Sequence, residues 1–278
     1  MTFKKIAIVG LGLMGGSLAA ACRKGFPKAR IIGISRNRAA LALAKKKKWV
    51  HEATRDIKLG AKQADLVVLC TPVGTFLPYL RLIDKVCAKG ALVMDVGSVK
   101  ASVLKEANSR KWKNLFFVGC HPMVGSHKRG IGVVNPELYK GGLVLIARDG
   151  KTCPLSYARA RKFWLKLSSR LIVLSPQVHD KLVGEISHLP HAIAFCLMHT
   201  ASAPALKVAA SGFRDMTRIA SSDPSVWQPI FSANRAAVLG ALDRFEKELK
   251  RFKQILRARN PKLLSGYLEK AQQRRKAL

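Results

Sequence analysis

Residues 6–16 read IAIVGLGLMGG. The apolar run Ile6–Val9 has the length of a buried strand and leads directly into a glycine-rich turn. Gly10, Gly12 and Gly15 spell G-x-G-x-x-G, a weak signal when it stands alone. Here a helical pattern, SLAAACRKG, and then a second strand, RIIGIS, follow it. In that setting each glycine has a task. Gly10 makes the tight turn, Gly12 lets backbone approach a pyrophosphate, and Gly15 lets the helix pack on the strand. Leu13 and Met14 fall in the first helical turn, whose N–H groups face the anion.

Working outward, RAALALAKKKK reads as a helix and ADLVVLCTP as a buried strand ending in Thr71 and Pro72. LPYLRLIDKVCAKG and VKASVLKEANS read as helices, with the strand GALVMDVGS between them. NLFFVGCHP, GGLVLIARD and RLIVLS are further strands, and YARARKFWLKLS is a helix. Strands alternating with helices of this length predict an α/β fold, a Rossmann-type doubly wound parallel sheet, over residues 1–175. Beyond it only helical periods remain, one of them opened by Asp223 as cap and Pro224 in the first turn. Residues 176–278 therefore read as an all-helical domain.

The composition narrows the class. Hydrophobic residues make up 49% of the 278 residues, enough for a sizeable core. No stretch approaches the length of a membrane-spanning helix. The start, basic then apolar, shows no cleavage site and reads as a first strand, so a cytoplasmic protein is expected. The six cysteines have no C-x-x-C spacing and are expected to be free, buried thiols. Fifty Lys and Arg against 16 Asp and Glu give a formal charge of +34. The charge is spread along the chain, and no aromatics interleave with basic clusters as a nucleic-acid platform needs. It reads as a solvated surface that favours polyanionic ligands; specific nucleic-acid binding, resting on charge alone, is the remote alternative.

Where an NAD-binding chain carries an acid after its second strand, this one has Ser35, Arg36 and Arg38. A carboxylate would repel a ribose 2′-phosphate, whereas a hydroxyl and planar cations suit it. NADP is therefore favoured, with NAD possible if Arg36 merely lines the adenine. His121 in GCHPMVGS and Ser98 in DVGSVK fall at the carboxyl ends of neighbouring strands, where such sheets bind ligands. His121 is a candidate proton acceptor and Ser98 a partner for the same substrate hydroxyl. Ser187, His188 and His191 in ISHLPHAIAF admit three readings: helix capping, a metal pair, or anion and hydroxyl binding at the domain crevice. No third ligand stands near, so no metal is expected. In SGFRDMTRIASSDP, a loop-like stretch, Arg214 held by Asp215 can clamp a carboxylate or form a purely structural pair.

Together, GLGLMGGSLA, CTPV, DVGSVK, HPMVGS, SHLPHAIAF and SGFRDMTRIASSDPSVW resemble the prephenate/arogenate dehydrogenase family of tyrosine biosynthesis, over about residues 4–250. The resemblance implies oxidative decarboxylation of a cyclohexadienol. By it, His121 takes the proton of the ring hydroxyl, Ser98 orients that hydroxyl, and hydride passes to the nicotinamide. Once the ring carbon is a ketone, the ring carboxylate is a vinylogous β-keto acid, and its loss makes the ring aromatic. Ser126, Ser187, His188 and His191 would line the substrate pocket, and Arg214 would bind a substrate carboxylate. Trp227 would close the pocket, or else serve as a core residue. A His at position 191 favours prephenate over arogenate. The family pairs two chains through the helical domain, so a homodimer is expected. Two departures stand out: many members have an acid where Ser35 stands, and the chain as read leaves no room for a fused mutase or regulatory domain.

Overall fold

The computed structural model describes residues 3–125, 130–168 and 170–278. In chain order the first half comprises β1 (Lys5–Val9), α1 (Leu13–Gly25), β2 (Arg30–Ile34), α2 (Arg38–Lys46), β3 (Glu52–Thr54), α3 (Ile57–Ala61), β4 (Leu66–Leu69), α4 (Phe76–Ile83), β5 (Ala91–Asp95), α5 (Ala101–Ala107) and β6 (Leu115–Pro122). Next come β7 (Leu143–Ala147), α6 (Pro154–Leu167) and β8 (Arg170–Leu174). Helices follow: α7 (Pro176–Val183), α8 (Leu189–Thr200), α9 (Ala203–Lys207), α10 (Ser211–Thr217), α11 (Pro224–Ala233), α12 (Arg235–Arg257) and α13 (Pro261–Lys276).

The eight strands form one sheet in the order β3-β2-β1-β4-β5-β6-β7-β8. Side chains alternate across it. Ile6 and Ile8 of β1 face a core shared with Leu18, Phe163 and Trp164. Ala7 and Val9 face the opposite core with Phe76, Leu80 and Ile83. The inner strands are covered on both faces, which is why they read as unbroken apolar runs, whereas β3 is only partly buried and β8 leaves Ile172 and Val173 exposed.

Two features depart from the sequence reading. The sheet is not wholly parallel, because β6 and β7 pair antiparallel, His121 opposite Leu145. Between them the described residues hold only a short 3₁₀ turn at Ile131–Val133 and no crossover helix. The chain thus re-enters from the carboxyl edge and must run back. That segment is tied to α1, where Tyr139 Oη donates to Met14 O at 2.9 Å. The other departure is β3 with α3, for which WVHEATRDIKLG gave no strand signal. The thiols are all free, and Cys22, Cys87 and Cys120 are buried as expected, but Cys70 and Cys153 are only partly so and Cys196 on α8 is exposed.

Helix α7 runs into α8 through a π-helical turn at Gly184–His188. A side chain at Gly184 would sit 3.2 Å from the Ala237 Cβ, so α12 crosses close there. Among the described residues no helix is long and apolar enough to cross a membrane.

Candidate active site

The strand order reverses between β1 and β4. A cleft of about 520 Å³ opens at their carboxyl ends, lined by Gly10, Gly12, Ser35, Arg36, Arg55, Thr71 and Pro72 among others. Gly10 has φ +95°, and a Cβ there would lie 2.6 Å from Cys70 O. A Cβ on Gly15 would lie 1.7 Å from Gly10 O, so the helix could not seat on the strand. Gly12 meets nothing within 4 Å, leaving its backbone open to the cleft. It also caps α1 with no side-chain bond, so the first-turn N–H groups are unclaimed by any cap. This is a cradle that fits a dinucleotide pyrophosphate. Leu13 and Gly15 are buried beneath it and Met14 partly so.

Arg38 is not among the cleft residues; it opens α2, exposed, behind the Asn37 cap. The second cation is instead Arg55, which follows β3. Ser35 N–H donates to Thr54 O at 3.1 Å, setting Arg55 beside the Ser35–Arg36 corner. The adjacent Asp56 carboxylate is turned away, accepting from Lys58 N at 2.7 Å.

At the same edge of the sheet, His121 is buried at the end of β6. Its Nδ1 lies 3.0 Å from Nε2 of His179, whose Nδ1 lies 2.8 Å from Asp180 Oδ1. Asp180 also accepts from Lys100 N at 2.7 Å and Ala101 N at 2.9 Å. Burial pushes His121 well below the ordinary histidine value, and His179, Lys100 and His188 add to it. Burial lowers His179 as well, against the pull of Asp180. For neutral rings the bonding pattern has one solution. His179 donates from Nδ1 to Asp180 and accepts at Nε2 from His121 Nδ1–H. His121 is left with a lone pair on Nε2, the arrangement a general base needs. Lys100 is itself fully buried and paired with Asp95, whose Oδ1 accepts from Cys120 N at 3.0 Å.

His188 is fully buried, and burial pushes it down to about 4. Its ring meets Trp227 edge-on at 5.8 Å, and the His191 ring stacks on Trp227 at 3.6 Å. His191 Nδ1–H donates to Ser187 O at 2.9 Å. Neither Ser187 nor His188 caps a helix, because the π turn carries α7 into α8 unbroken and frees no N–H. Ser98 stands three residues past β5, half-buried, with no hydrogen-bond partner among the described residues. Arg214 lies not in a loop but on α10, exposed, its Nε donating to Ala209 O at 3.2 Å. Among the described residues no ion pair joins it to Asp215, and both side chains are exposed. Ser126 lies outside the described residues. No group of three or more His, Cys, Asp or Glu among the described residues is arranged to hold a metal.

Residues 18–173 match the nucleotide-binding domain of prephenate dehydrogenase, and residues 175–270 match its dimerization domain. The chain belongs to the prephenate dehydrogenase family. It is 32% identical to a prephenate dehydrogenase of Bacillus subtilis, over 98% of this chain and 76% of that one. It is 31% identical to a cyclohexadienyl dehydrogenase of Zymomonas mobilis, over 99% and 96%. Its fold matches the crystal structure of prephenate dehydrogenase from Aquifex aeolicus, in complex with hydroxyphenyl propionate and NAD+, with a TM-score of 0.92 at 31% identity, covering 100% of this chain and 99% of that one. Like other members of the prephenate dehydrogenase family it is an oxidoreductase that uses a nicotinamide cofactor.

Four residues of this site escaped the family motifs: Arg55, His179, Asp180 and Asn234, the last buried and 3.0 Å from His188 Nδ1 through its amide nitrogen. The doublet His179–Asp180, five residues past the last strand, was the one usable signal. Nothing in the sequence marks Asn234.

Proposed function

We propose that this protein is a prephenate dehydrogenase that prefers NADP, works as a homodimer and acts in the cytoplasm. The observation that carries the catalytic reading is the Asp180–His179–His121 chain, which leaves one lone pair on His121 Nε2 at the carboxyl edge of the sheet. His121 Nε2 takes the proton of the substrate's ring hydroxyl, and Ser98, with an uncommitted hydroxyl, steadies the same group. The turn at Gly10, Gly12 and Gly15 would hold the nicotinamide cofactor, which would supply the acceptor for the hydride of the hydroxyl-bearing carbon. Arg214, with both terminal nitrogens uncommitted, offers a two-toothed fork to a substrate carboxylate. Ser187, His188, His191 and Trp227 form the wall against the ring and side chain. A histidine at 191 supports prephenate over arogenate.

NADP is supported by two cations at the adenine end, Arg36 and Arg55, with Ser35 where an acid would stand. The dimer is supported by the match to the family's dimerization domain and by Leu239, Leu249, Leu256, Leu263 and Leu268, all about half exposed along α12 and α13.

The test is a spectrophotometric assay offering prephenate and arogenate, each with NADP and with NAD, beside His121→Asn. The reading expects NADP reduction with prephenate, and a loss on the order of a hundred-fold or more in kcat/KM in the variant. Turnover of arogenate alone would reassign the substrate, and an unaffected variant would remove His121 from the chemistry.

A further inference from the structure

Asn234 caps the start of α12, outside every motif read from the sequence, and it is buried. Its amide nitrogen donates to the backbone carbonyl of Asp180 at 2.8 Å. A carbonyl only accepts, so this contact fixes which end of the amide is nitrogen. The same nitrogen lies 3.0 Å from His188 Nδ1. His188 Nδ1 must then accept, and a neutral His188 carries its proton on Nε2. That Nε2 is buried with no partner. A buried N–H without an acceptor is costly, so a donor held in this place calls for an acceptor from a bound ligand.

We propose that Asn234 is a positioning residue that commits His188 to donate from Nε2 to an anionic oxygen of the substrate, a carboxylate in preference to a hydroxyl. Asp180 thereby sets two rings in opposite senses. Through its carboxylate and His179 it makes His121 an acceptor. Through its carbonyl and Asn234 it makes His188 a donor. The pocket meets a hydroxy acid with one of each. The groups that surround His188 are Asp180 and His179 on α7, His191 on α8, and His121 on β6. Trp227 of α11 covers its edge. Asp180 alone among them is acidic, and its side-chain oxygens are already taken by two backbone N–H groups and His179. The donor assignment therefore holds across the neutral range.

The proposal rests on the substrate pocket described above, and its first test does not need the substrate. In the free enzyme labelled at the histidine nitrogens, the long-range proton–nitrogen correlation spectrum at neutral pH should show His188 protonated on Nε2 and bare on Nδ1. A ring protonated on Nδ1, or on both nitrogens, overturns the proposal whatever the enzyme turns over. Asn234→Ala should release the ring, mixing its two neutral forms, and raise the KM for prephenate about ten-fold with kcat within a few-fold. Asn234→Asp should place a carboxylate against Nδ1 and add a new ionisation near neutral pH to the kcat/KM profile. An unchanged spectrum and KM in Asn234→Ala, or a loss confined to kcat, overturns it. Inactivity of the wild type toward prephenate would sink the substrate assignment while leaving the spectrum to judge the tautomer.

Discussion

A neutral His121 accepts at Nε2; a protonated one cannot. Burial holds it well below the ordinary histidine value, and the neighbouring His179, Lys100 and His188 add to the lowering. The acid limb of kcat/KM should therefore lie below pH 6.5, with no loss between 6.5 and 7.5. A limb at or above 7 would mean the ring is not held neutral. Arg55 is the second residue whose worth can be measured. Arg55→Gln and Arg36→Gln should each raise the KM for NADP about ten-fold or more and leave that for NAD within a few-fold, since a paired charge on phosphate is lost only with the phosphorylated cofactor. Binding of adenosine 2′,5′-bisphosphate by calorimetry should weaken in step. Equal effects on both cofactors would place these arginines on the shared pyrophosphate or adenine. The tight turn at Gly10 and the close packing at Gly15 were legible in sequence because they are local. The place of Arg55 in the cleft was not, because it depends on β3, whose three half-buried residues carry no pattern.

Among the elements, α7, the π turn and α8 carry His179, His188 and His191 in that order, all lowered by burial, as is His121 on β6. Each is neutral when folded and charges more readily when unfolded. The unfolded chain thus binds more protons below about pH 6.5, and stability must fall as pH drops from there toward about 4, the value to which His188 is pushed. The melting temperature should decline steadily from pH 7 to pH 5, and His188→Gln should make that decline shallower. A flat profile would mean these rings are not buried neutral. The strands were legible because burial on both faces leaves unbroken apolar runs. The direction of β7 was not, since alternation looks the same in either sense and only the missing crossover decides it. The tautomer chain was equally hidden: Lys100 and Asp180 are 80 positions apart, and Asn234 is 54 from Asp180. Such contacts belong to the packing of α7 and α12 and leave no trace in local spacing.

For the whole molecule, a formal charge of +34 is the dominant long-range term. Like charges repel over roughly 10 Å at 0.1 M salt, so added salt should stabilise the fold. A melting temperature that stays level or drops from 20 to 300 mM sodium chloride (conditions chosen to span that screening range) would contradict this. The dimer has its own check. Light scattering should give twice the 30.5 kDa chain mass, and Leu249→Glu with Leu256→Glu should return it to one chain. A monomeric wild type would leave the leucines of α12 and α13 without an explanation.

The carboxylate of Asp180 carries a last consequence. It sits on the first helix after the sheet, yet it takes the N–H groups of Lys100 and Ala101 at the start of α5. The nucleotide-binding half thus borrows the stopper of one of its own helices from the other half. A chimera that joins this nucleotide-binding half to a relative's helical half would inherit a frayed α5 unless the donor brings an acid to the same spot. Cofactor and substrate modules in this protein are separable on paper, but they are not interchangeable parts.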